Sequence, residues 1–160
     1  MKKTWQKALS GALLCTHLVA HASSYCDPAR FLTLKADQKS LGVTEAQLEA
    51  LPQQAITTST HWSKKGTYRG PYLADVVSLS GLDQPKKLAI YTWDNFKVEI
   101  PYSDLAQYGV ILATSFDGKR LKLDDFGPMF VVYPYDQFRE MRRPAGLNKM
   151  AWQVCRIDVS

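Results

Sequence analysis

Leu88-Ala89-Ile90-Tyr91-Thr92-Trp93-Asp94-Asn95-Phe96-Lys97-Val98-Glu99-Ile100 is the stretch on which the fold turns. Two runs rich in β-branched and aromatic residues, Leu88 to Thr92 and Phe96 to Ile100, flank the tight-turn signal Trp93-Asp94-Asn95. A connection this short can join only antiparallel neighbours, because a parallel pair needs a crossover of a dozen residues or more. Downstream, Tyr102 to Tyr108 is expected to form a helical turn and Val110 to Ser115 a buried strand. Asp117-Gly118 then reads as a strong turn. Met129 to Tyr133 is a further strand between Gly127-Pro128 and Pro134. Asp136 to Met150, with three arginines, reads as a mostly irregular excursion. Trp152 to Val159 alternates and closes the domain, placing Cys155, Ile157 and Val159 on one face.

Upstream, Gln54 to Thr60 is a β-branched strand followed by the polar loop Trp62 to Gly66. Thr44-Glu45-Ala46-Gln47 is a capping box; the short helix it starts carries Leu48 and Leu51 and stops at Pro52. Pro71 suits the first turn of a second helix with Leu73, Val76 and Val77 as its apolar stripe and Gly81 at its end. Asp27 to Leu34 is an extended lead-in. About seven strands in hairpins and two or three short helices give an α+β fold, with mixed β-sheets around a barrel-like core.

The chain has 160 residues and a net charge of +5. Residues 1–22 read as a secretory leader: Lys2, Lys3 and Lys7 precede the apolar run Ala8 to Ala20, and Ala20-His21-Ala22 offers small residues for cleavage. The apolar run falls short of the roughly 20 residues of a membrane anchor. Residues 23–160 are expected to form one soluble domain in the periplasm. The leader holds three lysines and no acid, so the mature balance falls from +5 to +2, which gives no support for nucleic acid or anionic lipid as a partner. Cys15 leaves with the leader, and the remaining Cys26 and Cys155 are expected to pair as a structural disulfide in an oxidising compartment.

Familiar catalytic sets are missing. His61 is the single histidine of the mature chain, and there is no GxSxG elbow, P-loop or GxGxxG. A zinc site has too few His and Cys ligands. Four segments combine aromatic with polar residues: Thr57 to Trp62; Trp93 to Phe96 with Glu99; Thr114 to Gly118 with Asp124 to Pro128; and Tyr133 to Asp136 with Trp152. Converging strand ends of this kind would make a cleft for a flat polar heterocycle, stacked on an aromatic ring and hydrogen-bonded to a carboxylate. The same residues also serve as core aromatics, turn residues and strand threonines.

The collinear order of these motifs resembles the molybdopterin-binding domain of the sulfite oxidase fold. The residues that carry the likeness are Leu51-Pro52, Ile56 to Trp62, Tyr68 to Leu73, Asp94 to Pro101, Gly109 to Thr114, Asp117-Gly118-Lys119, Phe126-Gly127-Pro128, Val131 to Pro134 and Trp152-Gln153. The likeness spans nearly all of residues 30–159. Enzymes of that fold ligate molybdenum through a cysteine near the end of the strand before the Trp-Ser motif; here Thr58, Ser59 and Thr60 stand at that place. A hydroxyl is a poor substitute for a soft thiolate. The small, exported, cysteine-lacking members resemble periplasmic pterin-binding regulators. That resemblance implies a non-catalytic pterin sensor, with pterin as ligand and no metal. It further implies docking on the periplasmic domain of a membrane-bound diguanylate cyclase/phosphodiesterase (GGDEF/EAL) protein, in cyclic-di-GMP signalling and biofilm control. In that reading Trp62, Tyr133 or Trp152 stacks on the ring, and Asp94, Asn95, Glu99, Asp117 or Asp125 accepts from its donor edge. Thr58, Ser59, Thr60 and Thr114 face the remaining heteroatoms. The alternatives are a molybdenum-cofactor oxidoreductase and an envelope interaction module presenting Arg139, Arg142 and Arg143.

Overall fold

The computed structural model describes residues 25–160; the leader expected over 1–22 lies outside them. The first strands, β1 (Leu32–Ala36) and β2 (Lys39–Val43), form a hairpin through Asp37, whose φ of 53° tightens the turn. Strand β2 carries no local sequence signal. Its residues Lys39, Ser40 and Leu41 are exposed, so the strand lacks buried alternation and is held as a sheet edge by backbone pairing and by the burial of Val43 at its end. Helix α1 (Glu45–Ala50) begins at the expected capping box: Gln47 N–H donates to Thr44 Oγ1 at 3.2 Å, and Thr44 N–H donates to Gln47 Oε1 at 2.8 Å.

Next come β3 (Gln53–Thr58), β4 (Gly66–Pro71), α2 (Leu73–Ser78), β5 (Lys87–Thr92), β6 (Lys97–Pro101) and α3 (Ser103–Tyr108). Short strands β7 (Ile111–Ala113), β8 (Ser115–Phe116), β9 (Lys119–Arg120) and β10 (Phe130–Val132) follow. A 3₁₀ turn (Arg139–Arg142), helix α4 (Pro144–Leu147) and strand β11 (Val154–Val159) complete the chain. The main sheet runs β2–β1–β11–β5–β6, with β1 and β11 parallel and the other pairs antiparallel. A second sheet runs β3–β4–β8–β9, and β7 pairs with β10. The architecture is therefore mixed α+β. Leu32, Leu34, Leu88, Ile90, Ile100 and Ile157 from the main sheet pack with Val76, Val77, Leu105, Ile111, Leu112 and Phe130 in one core. Each such side chain removed from water stabilises the fold by about 1.5–3 kcal/mol. Among the described residues, no helix is long and apolar enough to cross a membrane.

Three local expectations need correction. Pro71 closes strand β4; it does not open α2, which starts at Leu73. Gly-Thr-Tyr-Arg-Gly-Pro has little strand propensity, but β7 passes so close that an added Cβ on Gly70 would lie 2.0 Å from the Leu112 carbonyl oxygen. Tertiary approach thus decides both the strand and the glycine. The excursion 136–150 contains a 3₁₀ turn and helix α4 between irregular ends, with Pro144 at the start of α4, a position where its missing N–H costs nothing. In β11 the register against β5 shifts between Val154 and Arg156, leaving Cys155 as the bulged residue. Val154 therefore joins Ile157 and Val159 in the main core, while Cys155 turns to the other face, where it packs with Cys26 and Tyr91. There Cys26 and Cys155 form a disulfide across 129 residues of sequence.

Candidate cofactor-binding site

The hydroxyl-rich end of β3 builds the loop that carries Trp62. Thr58 is fully buried; its Oγ1 accepts from the backbone N–H of Asp136 at 3.0 Å. Ser59 donates twice to the Asp136 carboxylate, through its N–H at 2.9 Å and its Oγ at 2.6 Å. These two bonds hold the Asp136 carboxyl below its ordinary range, helped by the positive charges of Lys65 and Arg142 and opposed by partial burial. Thr60 Oγ1 accepts from the N–H groups of Trp62 (3.2 Å) and Ser63 (3.0 Å), while Ser63 Oγ bonds the Tyr68 hydroxyl at 2.6 Å. A hydroxyl accepting from the backbone two and three residues on folds residues 60–63 into a turn.

That turn sets the Trp62 ring 4.6 Å from the Trp152 ring at an interplanar angle of 67°. Trp152 is backed in turn by Phe126 and Phe130, at 6.2 and 6.4 Å. Between the two indoles and the β5–β6 hairpin lies a cleft of about 150 Å³, lined by Trp62, Asp94, Phe96, Leu147, Asn148, Met150 and Trp152. Its walls are chiefly aromatic and aliphatic, with polar groups at the rim. Asp94 Oδ1 accepts from the Thr92 hydroxyl and from the Phe96 N–H. Asp94 Oδ2 has no partner among the described residues and is free to accept from a ligand. Asn148 adds an exposed amide. The floor segment is pinned from behind, where Lys149 Nζ pairs with the buried Asp104 Oδ2 at 2.6 Å, and the Tyr133 hydroxyl donates to the same oxygen at 3.0 Å.

Of the residues proposed from the sequence, Trp62, Asp94 and Trp152 line this cleft. Thr58, Ser59 and Thr60 lie behind it, their hydroxyls spent on Asp136, the loop backbone and Ser63. Tyr133 is fully buried and presents no stacking face; burial, then the Asp104 charge, pushes its phenol far above the ordinary range. Asn95 occupies the hairpin turn with φ 62°. Glu99 sits on the exposed face of β6 between Lys97 and Lys87, whose hydrogen bonds lower its carboxyl. Thr114 lines a separate depression with Arg69 and Arg120. Asp117 accepts from Thr67 N–H at 2.8 Å in the β8–β9 turn, and Asp125 lies on an exposed loop. Phe96 and Asp136 belong to the polar and aromatic segments singled out in the sequence, though without an assigned ligand contact, whereas Asn148 and Met150 fell outside those segments. The readable signal for the last two was their place two to four residues before Trp152.

No family model matches the chain, and no curated protein matches it. A solved structure does: the sulfane dehydrogenase SoxCD from Paracoccus pantotrophus, at a TM-score of 0.61 and 16% identity. The match covers 81% of this chain and 38% of that one. The chain has a sulfite-oxidase-like fold. It spans well under half the length of the dehydrogenase chain. This likeness corrects the expectation of a non-enzyme: the shared fold is that of a dehydrogenase, so the missing cysteine alone does not make the domain non-catalytic. It likewise removes the ground for periplasmic pterin sensing tied to cyclic-di-GMP and biofilm formation, to which nothing in the comparison corresponds.

The fold family implies a molybdopterin cofactor, and the residues present fit its two halves unequally. A flat ring suits the indole-walled cleft with its free carboxylate oxygen. The metal half finds no free thiolate among the described residues, since Cys26 and Cys155 are bonded to each other. Thr58, Ser59 and Thr60 have committed hydroxyls, and no group of three His, Cys, Asp or Glu among the described residues could hold a metal ion.

Proposed function

We propose that this domain binds a pterin-type cofactor in the Trp62–Trp152 cleft and serves as the cofactor-binding domain of an oxidoreductase. The observation that carries the reading is the cleft itself: two indole walls and an acceptor oxygen on Asp94, in a fold shared with a dehydrogenase. Ring stacking supplies the affinity and Asp94 Oδ2 selects an amino or ring N–H edge. The described residues offer no thiolate to the metal, so recognition rests on the pterin ring, and no redox step is assigned to these residues. The disulfide accords with work outside the cytoplasm after export.

The test is to purify the mature protein, release bound small molecules, and record pterin fluorescence and metal content together, then to titrate a reduced pterin while following tryptophan emission. Near-equimolar pterin, lost in Trp152→Ala, and dye-linked turnover of the loaded protein would support the reading. Failure to retain or bind any pterin would overturn it.

A further inference from the structure

The outer face of the main sheet carries a second, unrelated pocket. Because β1 and β11 are in parallel register, Thr33 stands beside Arg156 and Lys35 beside Asp158; on the other side Thr33 faces Gly42 and Lys35 faces Ser40 of β2. Gly42 has no side chain to fill the place next to Thr33, and the Arg30 side chain lies across it, its Cδ 3.4 Å from where a Cβ would stand. The result is a hollow of about 270 Å³ walled by Arg30, Lys35, Arg156, Ser40 and Tyr25, with Thr33, Cys26 and the Asp27 carboxylate also in its lining.

Two observations mark this hollow as a binding site. Thr33 is 5% exposed, and its Oγ1 is the one buried side-chain oxygen or nitrogen without a hydrogen-bond partner among the described residues. An orphaned buried hydroxyl is destabilising and calls for a partner. Around it stand three cations against two carboxylates, Asp27 and Asp158, which leaves one positive charge in excess. Arg30 is paired with Asp27 at 3.2 Å and touches Ser40 Oγ, Arg156 is paired with Asp158, and Lys35 has no ion pair among the described residues. Arg156 is further fixed over the Tyr91 ring at 4.5 Å, beside the disulfide. Two positioned guanidinium groups, a spare ammonium and an unsatisfied hydroxyl are the donor set of an oxyanion site.

We propose that this pocket binds a small oxyanion, of the phosphate, sulfate or carboxylate class, with Thr33 donating from the floor and Lys35 supplying the uncompensated charge. It shares no residue with the Trp62–Trp152 cleft and stands independently of the cofactor reading.

The experiment titrates the mature protein with inorganic phosphate, sulfate and acetate, each at constant ionic strength against chloride, following amide shifts of β1 and β11 by NMR. Saturable shifts centred on Thr33, Lys35 and Arg156 are expected. The three anions rank the source by their dissociation constants. Lys35→Gln and Thr33→Val should each weaken binding at least tenfold. Thr33→Val should also raise the melting temperature of the anion-free protein, because it removes an unpaired buried hydroxyl without changing shape. Shifts that are linear and equal for chloride, or binding unchanged in a folded Thr33→Val protein, would overturn the proposal.

Discussion

Replacing Asp136 with alanine should loosen the candidate cleft without touching it. The carboxylate accepts from Ser59 N–H and Ser59 Oγ, joining the end of β3 to a residue 77 positions later in the chain. Hydrogen bonds to a charged partner contribute about 1.5–3 kcal/mol each when well buried. Asp136 is only part-buried, so solvent replaces a share of this, and the expected loss for the pair is about 2–3 kcal/mol. Unfolding entropy for a domain of this size converts that into a fall of roughly 7–10 °C in Tm. Asp136→Asn, which keeps one acceptor, should lose about 1 kcal/mol. Urea unfolding followed by tryptophan emission measures both. A double-mutant cycle with Ser59→Ala isolates the Ser59 Oγ bond, the backbone N–H bond being kept in that variant, with an expected coupling of at least about 1 kcal/mol. The direction of pH dependence follows as well. The folded carboxyl lies below its ordinary value, so its contribution is fully present above the unfolded pKa. It disappears as pH falls through the folded one. Additivity of Ser59→Ala and Asp136→Ala within about 0.3–0.5 kcal/mol would refute the part of the hydroxyl, and an Asp136→Ala protein as stable as the parent would refute the bracing role.

Trp152→Ala and Trp62→Ala should each weaken pterin binding on the order of tenfold, since an aromatic stack contributes about 0.5–1.5 kcal/mol beyond area burial; isothermal titration of the folded variants reads this directly. Opening the Cys26–Cys155 bridge, by reduction or in the double serine variant, should cost up to about 5 kcal/mol in urea unfolding, because the bond closes a loop of 129 residues. Gly70→Ala should destabilise by on the order of 3 kcal/mol, because its Cβ would meet the Leu112 carbonyl at 2.0 Å. Tyr133→Phe should cost about 1 kcal/mol in unfolding while leaving pterin affinity unchanged, because the hydroxyl braces Asp104 behind the site and does not face it; a large loss of affinity would place Tyr133 in the cleft after all.

Local chemistry spelled out much of this fold before any coordinates. The capping box at Thr44, the hairpin at Trp93-Asp94-Asn95 and the turn at Asp117-Gly118 each depend on side chains bonding to their own backbone or on φ preferences, and such effects act over a few residues. The apolar runs of β5, β7 and β10 likewise announce burial by composition. From these alone the α+β class followed. The order of short motifs also pointed to the sulfite-oxidase-like fold. Trp62 and Trp152 could be named as cleft walls because a large aromatic beside polar loop residues is a conspicuous pattern.

What the tertiary structure decided has one physical source: pairings between residues far apart in sequence, which no local pattern encodes. Strand β4 exists because β3, β7 and β8 surround it, not because Gly-Thr-Tyr-Arg-Gly-Pro favours extension. A single bulged residue in β11 turns Cys155 away from the core face that alternation assigned it and toward Cys26. Tyr133 and Trp152 look alike as aromatics next to turns, yet one is sealed against Asp104 and the other stands open to the cleft. Asp136 stood out only as the polar end of the Tyr133 to Asp136 segment, and it became the brace of the site only because the fold brings Ser59 beside it. Thr33 alternates as any strand threonine does; only the registers of β2 and β11 put a glycine on one side of it and an arginine on the other.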